Sequence, residues 1–194
     1  MNMRIPVGIS GRHAHVTKEH LEILFGKGYE LTPMKELSQP GQYASEEKID
    51  VISPAGKVIE GVRILGPVRK ASQIELSYSD ARRAKFDAPV RSSGDVKGSG
   101  AAKLVGPKGT VELTEGVIVA DRHIHFSLEE AKSFGVKDGD VVAIKVSGIK
   151  PGILGNVLCR VNENYRLDCH LDTDDGSAFL LNNGDTVELV KDFK

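Results

Sequence analysis

The sequence predicts a mainly β fold, two small β-barrels with short capping α-helices, built by internal duplication. Three observations predict it. Apolar runs are short and β-branched, as in Gly116-Val117-Ile118-Val119-Ala120, and 21 glycines punctuate the 194 residues. Arg12-His13-Ala14-His15 returns almost letter for letter as Arg122-His123-Ile124-His125. Its surroundings return with it, since 110 residues separate His13 from His123, Thr17 from Ser127 and Leu24 from Phe134.

Residues 6–10 read as a strand entering the first His pair. Thr17 caps a short helix with Leu21, Leu24 and Phe25 on one face, and Gly26 stops it. In the second copy, residues 117–120 form the strand, Ser127-Leu128-Glu129-Glu130 is a capping box, Ala131 and Phe134 face inward, and Gly135 ends the helix. Two further likenesses support the duplication. Residues 51–58 and 104–111 both turn at Pro-x-Gly, and Asp138-Gly139-Asp140 and Asn183-Gly184-Asp185 each feed an alternating strand. Residues 91–102 are the least regular and fit either an active-site loop or a plain connection. With no separable linker, residues 1–194 are expected to form one compact catalytic unit of two intertwined barrels, with repeat units near 5–30 and 115–140.

A net charge of −1 disfavours a nucleic-acid binder or a polybasic membrane protein. No apolar run approaches the roughly 20 residues that cross a bilayer, and the N-terminus shows no signal peptide. The two cysteines, Cys159 and Cys169, are too few for a disulfide framework. A reduced, cytoplasmic setting is expected.

Chemistry concentrates in the histidines. Residues i and i+2 of a strand share a face, so each His-x-His pair presents two imidazoles together. His13, His15, His123 and His125 therefore read as metal ligands, and His170, in a strand-like setting, as a fifth. His20 takes the place of Glu130 of the other copy, inside a helix, and is set aside. Five imidazoles exceed one tetrahedral site, so two ions with a carboxylate and open positions are expected. Nitrogen-rich ligation fits zinc, cobalt, nickel, iron or copper. Cys169 and His170 are strand neighbours on opposite faces, which argues against a Cys–His nucleophile. Residues 63–91 are locally basic (Arg63, Arg69, Lys70, Arg82, Arg83, Lys85, Arg91), either as a solvated surface or as a patch for a phosphorylated substrate. No serine elbow, P-loop or dinucleotide fingerprint is present.

Several blocks carry a family resemblance: Pro6-Val7-Gly8-Ile9-Ser10-Gly11-Arg12-His13-Ala14-His15, Leu37-Ser38-Gln39-Pro40-Gly41-Gln42, Leu65-Gly66-Pro67-Val68-Arg69-Lys70, Gln73-Ile74-Glu75-Leu76-Ser77, Val90-Arg91-Ser92-Ser93-Gly94-Asp95 and the second His pair. From about residue 5 to about residue 175 the chain resembles the PduL-type phosphate propanoyltransferases, which are phosphotransacylases. The resemblance implies transfer of a propanoyl or acetyl group between coenzyme A and inorganic phosphate, with a double β-barrel and two divalent ions, zinc in the family. It implies one ion on His13, His15 and Glu75, and another on His123, His125 and His170. It places Arg69 on phosphate, with Gln42, Ser93 and Gly94 lining the same pocket, and leaves proton handling to Ser93 or a metal-bound water. Acyl-CoA, acyl phosphate and phosphate would be the partners, and a homodimer is expected from the resemblance alone. Only five residues precede Pro6, so the encapsulation extension of some family members is not expected. A binuclear metal hydrolase of a thioester or phosphorylated substrate is the alternative reading, and a non-catalytic metal-binding protein a third.

Overall fold

The computed structural model describes residues 4–191. It is mainly β, and its strands close into two six-stranded barrels named here for the histidine each carries. The His123 barrel contains β1 (Arg4–Ser10), β10 (His123–Phe126), β11 (Val141–Val146), β12 (Gly152–Val161), β13 (Asp168–Asp172) and β14 (Thr186–Val190). Its closed order is β1-β13-β10-β12-β11-β14.

The His13 barrel contains β2 (His13–His15), β4 (Tyr43–Ile52), β5 (Val58–Gly66), β6 (Gln73–Leu76), β8 (Gly100–Val105) and β9 (Thr110–Ala120). Two further strands join its rim: β3 (Pro33–Glu36) pairs β4, and β7 (Val90–Arg91) pairs β9. The path β9-β6-β2-β5-β4-β8 closes because β8 pairs both β9 and β4. Read from β9 and from β1, the two barrels run through the same sequence of parallel and antiparallel pairings. The duplication is therefore one of whole barrels.

The strand that enters each His pair does not belong to that pair's barrel. β1 closes the His123 barrel while β2, three residues later, lies in the other; β9 and β10 repeat the exchange in reverse. Among the described residues, one compact unit accordingly comprises 4–10, 38–40 and 121–191, the other 11–37 and 41–120. Local sequence could show the repeat but not the exchange, which strand pairing decides.

The two supporting likenesses have a different origin. The Pro-x-Gly turns join β4 to β5 and β8 to β9, both in the His13 barrel, and the Asp138 and Asn183 turns both serve the His123 barrel. They are alike because each is a glycine turn feeding an alternating strand, with Gly56, Gly139 and Gly184 at positive φ.

Each barrel has its own core. Ile49, Val51, Ile64, Ile74, Leu104 and Val117 fill one, and Ile5, Ile124, Phe126, Ile144, Cys159 and Leu171 the other. α1 (Lys18–Phe25) is capped by Thr17 and buries Leu21 and Leu24; α3 (Leu128–Phe134) has the full Ser127–Glu130 capping box and buries Ala131 and Phe134. Two more helices follow β6 and β13: α2 (Tyr78–Ala84), capped by Ser77, and α4 (Thr173–Phe179), capped by Asp172. No described helix is long and apolar enough to cross a membrane.

Candidate active site

In each barrel a short His-x-His strand pairs antiparallel with the strand that carries a third donor. His13 lies opposite Glu75, and His123 opposite His170. The residues between, Ala14 and Ile124, are fully buried in the barrel cores, so the histidines share the outer face. This register is what places Glu75. It occupies the position that His170 holds in the other barrel. The candidate ligand atoms of His13, His15 and Glu75 lie within 4.8 Å of one another, as do those of His123, His125 and His170.

Three imidazoles are oriented by backbone carbonyls. Nδ1 of His13 donates to Gly11 O (3.0 Å), that of His15 to Leu65 O (3.2 Å) and that of His123 to Asp121 O (2.8 Å). A carbonyl only accepts, so Nδ1 carries a proton, and each ring in its neutral form leaves Nε2 as a lone-pair donor, the arrangement usual for metal-bound histidine. His13 Nε2 lies 3.4 Å from Glu75 Oε2, and His15 Nε2 3.8 Å from Oε1. Ligands about 2.0–2.1 Å from a tetrahedral zinc are about 3.4 Å apart, so this spacing suits an ion. Buried Nδ1 of His125 has no hydrogen-bond partner among the described residues, an orphan that an ion would satisfy. The donor sets, His₂Glu and His₃, are those of open zinc-type sites. The residues present fit two divalent ions.

Electrostatics agree. Burial pushes the His15 ring down to about 3, aided by the positive charges of His13 and Arg69. Burial with the neighbouring His123, His170 and Arg160 pushes His125 down to about 2. Both rings are neutral and ready to ligate at ordinary pH. Burial opposes charge on Glu75, but His13, His15 and the Ser93 hydroxyl outweigh it and hold the carboxyl far below its usual range. Glu75 in turn raises His13, against burial.

Ser93 donates to Glu75 Oε1 (2.7 Å) and accepts from Arg69 (3.2 Å) and from Gln73 (3.0 Å). It thus joins the arginine to the ligand group. The Gly94 N–H donates to the Gln73 side chain (2.7 Å), so it orders the loop through Gln73. Gln42 lies in the turn between β3 and β4, where its carbonyl accepts from Leu37 N–H. Members of the basic stretch have separate partners. Arg63 donates to the Ser45 carbonyl, Arg91 pairs with Asp95, Lys85 caps α2, and Arg69 alone of the seven is tied to Ser93. His20 bonds Ser72 Oγ (2.7 Å) and joins neither group. Cys159 and Cys169 are free and buried in the barrel core with raised thiol pKa values from burial, consistent with no nucleophilic role.

A model of the phosphate propanoyltransferase family matches residues 6–182. The chain belongs to that family. Curated phosphate propanoyltransferases similar to this family member include one from Thermotoga maritima, 50% identical over 96% of this chain and 89% of that one. Another, from Lachnoclostridium phytofermentans, is 46% identical over 96% and 87%. A third, from Listeria monocytogenes, is 40% identical over 98% and 89%. Family membership makes this phosphate propanoyltransferase homologue an acyltransferase.

Several neighbours of the site were not evident from the sequence: Gln73, Asp168, Tyr165, Arg160 and a pair of ion pairs. Arg12, just before His13, pairs with Asp80 in α2, and Arg122, just before His123, pairs with Asp175 in α4. A signal did exist, at a second offset. In keeping with the matched strand register, 95 residues separate Glu75 from His170, Ser77 from Asp172 and Asp80 from Asp175.

Proposed function

We propose that this acyltransferase exchanges a short acyl group, propanoyl or acetyl, between coenzyme A and inorganic phosphate at a dinuclear divalent-metal site. His13, His15 and Glu75 would hold one ion and His123, His125 and His170 the other, with zinc the metal the donors suit best. The observation that carries the reading is the recurrence of a three-donor group at matched register in both barrels, in a chain of this family.

In the reaction, a phosphate oxygen forms a bond to the thioester carbonyl carbon, the carbon–sulfur bond breaks, and the proton of hydrogen phosphate passes to the departing thiolate. Bound divalent ions would supply Lewis acidity toward an acyl or phosphoryl oxygen and charge beside the departing thiolate. Arg69 would hold the phosphate, charge-matched and oriented toward the carbonyl. Ser93 fixes the distance between Arg69 and Glu75, so its first role is positioning; its proton already points at Glu75. Gln42 and Gly94 are placed at the phosphate pocket's edge in this reading, Gly94 through the loop that Gln73 anchors. Direct transfer needs no acyl-enzyme, in keeping with the inert cysteines.

The chain passes from the His123 barrel to the His13 barrel after Ser10 and returns after Ala120, so the His123 barrel is not a continuous segment, and we take both as one catalytic unit. Cytoplasmic residence and a homodimer belong to the same reading; two free thiols suit a reducing compartment. The test is product identity. Propanoyl-CoA and phosphate should give propanoyl phosphate, trapped with hydroxylamine, in proportion to thiol released. Thiol release at the same rate without phosphate would assign a hydrolase instead.

A further inference from the structure

We propose that Arg160 forms a second phosphoryl-binding position, beside the His123–His125–His170 group, held by the ring of Tyr165. The inference rests on the phosphotransacylase reading and adds to it a substrate-binding residue.

Arg160 lies directly opposite His125 in the parallel pair of β10 and β12. The preceding pair, Ile124 and Cys159, is fully buried in the barrel core, so His125 and Arg160 both face outward, on the side of the three histidines. The guanidinium carbon stands 6.0 Å from the centroid of the Tyr165 ring, and that ring stands 4.2 Å from the His125 ring. Arginine, tyrosine and ligand histidine thus form one continuous row. Arg160 is half-buried, yet among the described residues its guanidinium makes no hydrogen bond and no ion pair. The other outward arginines near the sites are committed, Arg122 to Asp175 and Arg63 to the Ser45 carbonyl. A planar fork of five donors, half out of water beside the His125 ring and with no acceptor among the described residues, is suited to the oxygens of a phosphoryl group.

The comparison of the barrels strengthens this. In the His13 barrel Arg69 donates its N–H to the carbonyl of Val16, the residue after His15; in the His123 barrel Asn162 does the same to Phe126, the residue after His125. The 95-residue offset matches Arg69 to Asn164 and this backbone bond matches it to Asn162, so the duplication leaves no arginine there. Arg160 supplies a guanidinium to the same neighbourhood from two residues before Asn162. Each three-donor group then has its own arginine. The reaction involves two kinds of phosphate, the one transferred and those that coenzyme A carries, and both present the same oxygens.

The experiment is calorimetric titration of inorganic phosphate, and separately of coenzyme A, into the protein as purified, for wild type, Arg160→Gln and Arg160→Lys, with metal content measured for each. R160Q should weaken one ligand at least tenfold and keep wild-type metal content, with R160K recovering most of the loss. Weakened phosphate binding assigns the position to the transferred group. Weakened coenzyme A binding with phosphate unchanged assigns it to a phosphate of the coenzyme. Unchanged affinity for both, or metal lost along with affinity, overturns the proposal. A wild type that binds both ligands and is matched by R160Q refutes only Arg160, whereas a wild type that binds neither refutes the function on which it rests.

Discussion

The duplicated ion pairs should differ in strength by several-fold, and the structure says which is stronger. Arg122 grips Asp175 through two bonds, Nε to Oδ2 at 2.7 Å and Nη2 to Oδ1 at 2.9 Å, and sends a third to the Gly155 carbonyl at 3.1 Å. Arg12 offers a single nitrogen 3.2 Å from both oxygens of Asp80. The arginine side chains are 35% and 47% exposed, respectively. A bidentate charge-assisted pair at a partly sheltered site is worth about 2 kcal/mol, and an exposed single contact about 0.5 kcal/mol. Each aspartate also sits in the first turn of its helix, so the helix-dipole contribution is common to both and cancels in the comparison. For a chain of this size about 1 kcal/mol moves Tm by roughly 2–4 °C. Asp175→Ala should therefore lower Tm by about 4–8 °C, and Asp80→Ala by about 1–2 °C, in thermal unfolding followed by circular dichroism. Equal shifts, or a larger one for D80A, would refute the assignment of strength to fork geometry and shelter.

Arg69→Ala should raise KM for phosphate at least tenfold with metal content unchanged; unchanged phosphate kinetics would remove Arg69 from the site. At Gly176 a Cβ would lie 2.6 Å from Ile9 Cδ1, so Gly176→Ala should destabilise by about 1 kcal/mol in urea unfolding, although alanine normally favours a helix over glycine by about that amount. A stabilised variant would show that the contact relaxes freely. Acid should weaken the metal-free protein. His15 and His125 titrate near 3 and 2 when folded but near 6.5 when unfolded, so below about pH 6.5 the unfolded chain takes up protons that the folded rings refuse. His13, raised when folded, adds no loss in that range, because it is protonated in both states below 6.5. Chelator-treated protein should lose about 2–4 kcal/mol between pH 6.5 and pH 5 by urea unfolding, and a flat profile would contradict the assigned burial.

Much of the fold could be read from the chain because its signals are local. Thr17, Ser127 and Glu130 announced two helices, and the repeated His pairs announced the duplication. The helices α2 and α4 went unread, although they are as long as α3, since their caps, Ser77 and Asp172, precede no long apolar face. Five candidate ligand histidines were legible, four as His-x-His pairs at strand spacing and His170 from its strand-like setting. Glu75 was not, because its claim depends on lying opposite His13, and register is a property of paired strands. Arg69 likewise stood among seven basic residues by composition and spacing, and, as with Glu75, only the family resemblance singled it out; the structure adds its bond to Ser93. The assignment of β1 and β9 to particular barrels was invisible for the same reason, since it rests on which strands they pair with.

The central claim is most directly tested by titrating zinc back into chelated protein while following thiol release from propanoyl-CoA at saturating phosphate. The account predicts no release without metal, and activity that rises to a plateau at two equivalents per chain and disappears when phosphate is omitted. Full activity in the metal-free protein, or release that ignores phosphate, would contradict it.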